Sequence, residues 1–222
     1  MEGSRPRPEL PAEFAVFPLP GAVLFPHGRL PLNIFEPRYL ALVDDSLAAG
    51  RVFGMIQPDP ALGEGASGPG LYRVGCLGRL TSFAETDDGR YLITLSGLCR
   101  FAVLEEIGMR RGYRRVRASF TAFAGDLDLQ QGSMPGANLG REALLVALRA
   151  YFAAEGLEAN WDAIGQMQDA ALVVTLCMVC PFEPAEKQAL LEIADPKAQA
   201  EALLALLSLG AHSSNDTPTQ PS

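Results

Sequence analysis

The chain has 222 residues, 48% of them hydrophobic and 20% charged, with a net charge of −8. That much apolar surface offsets the entropy lost on folding and excludes disorder over most of the length. No run of about 18 apolar residues occurs, which excludes a helical membrane span. The opening MEGSRPRPELPA lacks the greasy centre of an export signal, so a cytoplasmic location is expected.

Charge is unevenly spread. Residues 1–122 hold 14 Arg against 13 Asp and Glu, a balance of +1; residues 123–222 hold 4 basic against 13 acidic residues, a balance of −9. Such a split marks two structural units. The acidic total disfavours general nucleic-acid binding, which draws most of its affinity from phosphate neutralisation. With 22 Gly and 17 Pro, the chain reads as loop-rich and partly β.

In chain order, residues 1–13 read as a disordered start and 14–126 as a β unit with one inserted helix. FAVFPLP and RLPLNIF are short, Pro-punctuated runs suited to sheet edges. EPRYLALVDDSLAAG predicts a helix with Pro37 at its first position, Tyr39, Leu40, Val43 and Leu47 on one face, and Gly50 as its stop. RVFGMIQP is a strand and PDPALGEGASGPG a long loop. LYRVGCLGRLTSFAE, RYLITLSGL, RFAVLEEI and GYRRVRASFTAF are further strands, the first two joined through TDDGR, an Asp-Gly hairpin signal. Short strands with hairpins predict a small barrel or a strongly bent sheet.

A linker at 127–138 leads to a helical subdomain at 139–210. Four helices are expected there. They are LGREALLVALRAYFAAEG; the more apolar AIGQMQDAALVVTLCMVC; PFEPAEKQALLEIA, opening on Pro184 with Glu186 in its first turn; and PKAQAEALLALLSLG, capped by Asp195 and stopped by Gly210. Residues 211–222 read as a disordered tail. The fold class is α+β, a bent β-barrel or sheet unit followed by a bundle of about four helices.

FPLPGAVLFPHGRLPLNIFEPRYLALV (17–43), FGMI (53–56), the Gly-flanked VGCLGRLTSFAETDDGRYLITLSGLCRF and FEPAEKQALLEIADPKAQAEALLALL (182–207) together carry a resemblance. In this order they resemble the amino-terminal domain of the Lon protease, in stand-alone form, over roughly residues 14–208. The resemblance implies a PUA-like bent β unit followed by a helical bundle, and a role in recognising protein substrates. In full-length Lon, ATP hydrolysis and peptide cleavage belong to separate downstream domains. GEGASGPG has no GK[ST] after it and so is no P-loop. Lys187 and Lys197, on predicted surface helices, have no natural serine partner for the Ser–Lys pair of Lon catalysis.

Candidate binding residues gather in two places. Phe35, Arg38 and Tyr39 of FEPRY, with Phe25 and Pro26 of VLFP, form the expected polypeptide-binding surface, aromatic contacts beside a charged donor. The same residues also suit a helix packed on a barrel and a rigid turn, the more common use of such side chains. Arg110, Arg111, Arg114, Arg115 and Arg117 form a basic cluster that could track a phosphate backbone, and PUA-like folds occur in RNA-binding proteins. Alternating Arg is equally a way to solvate a sheet face, and the acidic helical half could dock there.

No catalytic residue is expected: the only histidines are His27 and His212, and the acidic pairs Asp44–Asp45 and Asp87–Asp88 point apart or into solvent. No cofactor and no metal are expected. Cys177 and Cys180 form a lone CxxC without a basic neighbour and read as buried structural thiols; a zinc site would require Cys76 and Cys99 to join them. The function expected is a non-enzymatic module that buries apolar client side chains in a groove between β unit and helices. Its partner is an unfolded or exposed-apolar polypeptide, with a protease or chaperone as the further party, and an RNA-binding protein is the alternative.

Overall fold

A computed structural model of the chain describes residues 10–127 and 140–213. The strands are β1 (Glu13–Pro18), β2 (Arg29–Ile34), β3 (Val52–Ile56), β4 (Glu64–Gly65), β5 (Gly68–Pro69), β6 (Val74–Glu85), β7 (Tyr91–Arg110) and β8 (Tyr113–Ser119). Helix α1 (Pro37–Ala48) lies between β2 and β3, and a 3₁₀ helix (Thr121–Leu127) follows β8. Then come α2 (Arg141–Ala154), α3 (Trp161–Gln166), α4 (Asp169–Val179), α5 (Pro184–Glu192) and α6 (Pro196–Ser213). The class is α+β, as the patterning predicts.

Six strands form one sheet in the order β2-β7-β6-β3-β1-β8, and β8 returns to pair with β7. Five strands therefore close a ring, while β2 hangs outside on β7. The result is a bent ring with one free edge rather than a clean barrel. The length of β7 makes this possible. Residues 91–96 lie between β2 and β6, and residues 102–110 pair with β8. RYLITLSGL and RFAVLEEI are thus one continuous strand, not two. At Gly97, the carbonyl of Phe25 occupies the space a Cβ would take, so only glycine lets the VLFP turn lie against β7.

The edge assignment holds for β2 and fails for β1. Pro31 sits opposite Thr94, whose carbonyl accepts from Thr81 Oγ1 at 3.1 Å on the β6 side. The proline nitrogen therefore faces the open edge, where no ladder bond is required. β1 instead runs inside the ring, parallel to β3 and antiparallel to β8. Phe14 and Val16 enter the small core within the ring, whereas Phe17 joins the large core beneath the helices. A strand covered on both faces reads as an unbroken apolar run, and FAVF is one.

The large core is continuous from α1 and the sheet into α2, α4, α5 and α6. Polar contacts reinforce it. Gln57 accepts from the Gly21 amide at 2.8 Å and donates to the Pro184 carbonyl at 2.9 Å. Arg100 and Asp126, both almost wholly buried, pair at 2.6 Å. Arg100 also donates to the carbonyls of Leu191, Ile193 and Ala194, around the C-terminal end of α5. A guanidinium has five N–H donors, and all five are used.

Three expectations about the helical unit change. AIGQMQDAALVVTLCMVC contains two helices, because Met167 and Gln168 are extended. Arg141 spans the break, donating to the carbonyls of Ile164 and Gly165 and pairing with Asp169. Gly210 does not stop α6, which continues to Ser213. A Cβ there would lie 2.5 Å from the Tyr151 ring, so this glycine serves close packing of α6 on α2. Lys187 is buried rather than on the surface, donating to the carbonyls of Gly21 at 3.3 Å and Met178 at 3.2 Å. The Asp195 cap forms as expected, accepting from the Ala198 amide at 3.1 Å. The linker assigned to 127–138 lies, beyond Leu127, outside the described residues. Of the ends assigned as disordered, Glu13 already belongs to β1 and residues 211–213 to α6; 1–9 and 214–222 lie outside the described residues.

Candidate functional site

A groove of about 330 Å³ opens on the β unit. Its walls are the end of β1 with the turn beyond it (Phe17 to Pro20), the start of α1 (Glu36, Arg38, Tyr39), the β4–β5 flap (Ser67 to Pro69, with Pro58 behind) and the β7–β8 turn (Gly112 to Arg114). None of this lining comes from α2–α6. The groove therefore lies within the β unit, not between β unit and helices.

Local sequence explains each wall. Pro18 and Pro20 end β1, because neither can donate to a ladder. Pro37 starts α1 and directs Arg38 and Tyr39 to the rim. Arg111 and Gly112 both have positive φ, 47° and 85°, which makes a tight hairpin turn of the primed kind. Arg114 fastens the flap: its Nη1 donates to the Pro69 carbonyl at 2.6 Å, and Nε and Nη2 clamp Glu106 at 2.9 and 2.6 Å.

Tyr39 is the centre of the groove. Its ring lies 4.1 Å from that of Phe17, and the Arg38 guanidinium stands 4.6 Å above it. Burial pushes the Tyr39 phenol up, with Arg38 and Arg114 pulling the other way and Glu36 adding to the rise. Arg38 pairs with Glu36 at 2.9 Å, both half exposed.

Of the five residues expected to bind polypeptide, Arg38 and Tyr39 line the groove. Phe35 is 63% exposed and lies outside its lining. Phe25 and Pro26 are buried, so they hold the turn on β7 and reach no ligand. Phe17, Pro18, Pro20 and Pro69 were not among the expected site residues, whereas Arg114, expected as part of the basic cluster, lines the groove. FPLP, an aromatic bracketed by prolines at a strand exit, was the signal for the first three.

The arginine cluster is met by carboxylates of the β unit itself. Arg110 and Arg111 pair with Asp45, at 3.3 and 3.0 Å, and Arg114 with Glu106. Arg115 pairs with Glu13 at 3.6 Å, and Arg117 with Glu13 at 2.7 Å and with Glu105. The acidic helical half contributes none of these partners. Asp45 also accepts from the Tyr113 hydroxyl at 2.6 Å. That bond and the neighbouring arginines hold its carboxyl below the usual range, while burial and Asp45 push Tyr113 up to about 12.

All four cysteines are free and buried. Burial pushes Cys99, Cys177 and Cys180 up to about 12 and Cys76 well above its ordinary value, so at neutral pH they are uncharged thiols. Among the described residues, no three His, Cys, Asp or Glu side chains are placed to hold a metal. His27 is exposed in its turn, its amide donating to the Gly97 carbonyl at 2.9 Å. No helix of the described residues is long and apolar enough to cross a membrane.

Residues 13–208 match the family model for the ATP-dependent protease La (LON) substrate-binding domain. The chain belongs to that family. Among solved structures, the Lon N-terminal domain protein from Xanthomonas campestris aligns with a TM-score of 0.59 and 24% identity, covering 87% of this chain and 97% of that one. The N-terminal domain of a Mycobacterium avium complex Lon protease aligns with a TM-score of 0.60 and 14% identity, covering 88% and 98%. At these identities the likeness concerns the fold. Lon protease of Anaeromyxobacter dehalogenans and Lon protease 2 of Myxococcus xanthus are each 27% identical over 90% of this chain. The chain spans about a quarter of the length of these curated relatives, 23% and 24%. The similarity is thus confined to the Lon substrate-binding region and does not reach the rest of the relatives' length.

Proposed function

We propose that the chain is a cytoplasmic polypeptide-binding module that hydrolyses neither ATP nor peptide bonds. The observation that carries this reading is the match of residues 13–208 to a substrate-binding domain; the groove around Tyr39 supplies the place. The β unit at 14–126 holds an apolar segment of an unfolded client, and the helical unit at 139–210 braces it through the common core. Phe17 and Tyr39 bury client side chains, Arg38 orients a polar group, and Phe35 offers an exposed aromatic contact close to the rim. A protease or chaperone receives the client from it. The arginine cluster favours polypeptide over RNA, because phosphate binding there would have to displace the carboxylate partners of all five arginines.

The test is fluorescence anisotropy with a labelled unfolded polypeptide and a labelled RNA oligonucleotide, at about 50 and about 200 mM salt. The polypeptide is expected to bind with an affinity that changes by no more than about threefold, since apolar burial is not screened. RNA binding that falls by about 10³ or more across that range, and is lost on Arg114→Gln with Arg117→Gln, overturns the reading.

A further inference from the structure

Tyr39 is 6% exposed, yet no hydrogen bond reaches its hydroxyl from any described residue. Tyr91 and Tyr113, by contrast, give theirs to Asp44 and Asp45. No wholly buried side-chain oxygen or nitrogen lacks a partner among the described residues. The Tyr39 hydroxyl must therefore meet solvent, and it does so in the groove that Tyr39 lines.

The surroundings of that hydroxyl favour an anion. α1 is 12 residues long, and its N-cap Glu36 makes no side-chain cap bond. The positive end of the helix lies at the groove rim, which Glu36, Arg38 and Tyr39 line. Arg38 stands there, half exposed, paired with Glu36 and stacked on the Tyr39 ring. An exposed pair of that kind is worth about 0–1 kcal/mol, so a competing carboxylate exchanges for Glu36 at little cost. Arg114 also lines the groove, its charge already met by Glu106.

The shape decides which carboxylate. Four segments line the groove, the β1 exit, the flap, the α1 start and the β7–β8 turn. Its 330 Å³ or so suits one large side chain and a chain end better than an extended strand of several residues.

We infer that the groove receives the carboxyl terminus of a polypeptide client. The terminal carboxylate accepts hydrogen bonds from the Tyr39 hydroxyl and the Arg38 guanidinium, while the last apolar side chain packs on Phe17 and Pro18. This rests on the polypeptide-binding reading and adds to it which part of the client is held. The raised phenol value keeps Tyr39 protonated, and so a donor, across the neutral range.

The test uses the full chain and a labelled peptide of about ten residues ending in Leu-Phe, prepared as the free acid and as the C-terminal amide. A third form is an amide carrying Asp near its end. Amidation is expected to weaken binding about tenfold, the equivalent of one charge-assisted hydrogen bond. Tyr39→Phe keeps the ring against Phe17, and with it the thermal melt. It should weaken the acid form about tenfold more than the amide form, and Arg38→Gln should do the same.

Equal binding of acid and amide, with unfolded polypeptide still bound, overturns the chain-end inference and leaves the polypeptide reading standing. An Asp-bearing amide that binds as well as the acid also overturns it, in favour of acidic side chains. Failure of every peptide and of unfolded polypeptide overturns both.

Discussion

At the junction of sheet and helices, Arg100 gives every N–H it has to Asp126 and to the carbonyls of Leu191, Ile193 and Ala194. At the β7–β8 hairpin, Arg110, Arg111, Arg115 and Arg117 also pair with carboxylates, but across open solvent. Side-chain exposure is 6% and 4% for Arg100 and Asp126, against 32–63% for those four arginines. The chemistry is shared and the energetics are not. Solvent screens the hairpin pairs and supplies a substitute for either partner when the other is removed. At the junction no water stands ready, so removing one partner strands a buried charge. Four of the five arginines in that conspicuous run therefore contribute little to stability, whereas a single arginine inside CRF ties the two units together.

The strongest way to break this contrast is Arg100→Met. It leaves Asp126 buried without its cation, and the expected loss is about 3–5 kcal/mol in urea unfolding. Arg100→Met combined with Asp126→Leu should recover a large part of that loss, because both charges are then gone. A single-variant loss below about 1 kcal/mol would refute the junction as described.

Alkaline unfolding presses the buried side from another direction. Cys99, Cys177 and Cys180 ionise near 12 in the folded chain against an ordinary 9.0. A group whose folded value is raised contributes stability that is complete below 9 and is lost as pH climbs toward 12. Each thiol should remove about 1.4 kcal/mol per pH unit in that window. Lys187, whose value burial lowers, acts in the opposite sense and offsets part of the loss. Urea midpoints from pH 7 to about 11 should decline above 9, and Cys177→Ala with Cys180→Ala should flatten the decline. An unchanged slope would count against burial of these thiols.

The smallest effect belongs to the hairpin. Arg115→Gln should cost about 0–1 kcal/mol in the same urea assay. A cost near that of Arg100→Met would erase the distinction between the two regions.

Much of the local structure was legible. The Asp-Gly of TDDGR closes the β6–β7 hairpin, Pro37 starts α1, and Asp195 caps α6, each through contacts within a few residues. Where readings failed, the deciding partner was remote. Gly210 looked like a helix stop until Tyr151 lay against it, and FAVF looked like an edge strand until β3 and β8 flanked it. Phe25 looked like a contact residue until Gly97 drew its turn inward.

The groove was half legible. FEPRY drew attention to Arg38 and Tyr39 as an aromatic beside a cation. Phe17, Pro69 and Arg114 lie far from them along the chain, and only the closed sheet brings the β1 exit, the flap and the hairpin turn to the start of α1.

The α+β class, the order of its elements and the family were written in the amino-acid sequence, because periodicity, capping and turn chemistry act over a few residues and a motif is a string. The pairing of Arg100 with Asp126 and of each hairpin arginine with its carboxylate was decided by tertiary structure. So was the exposure of the Tyr39 hydroxyl to the groove. Burial and partner choice depend on which distant segments exclude water from a side chain, and no local pattern carries that information.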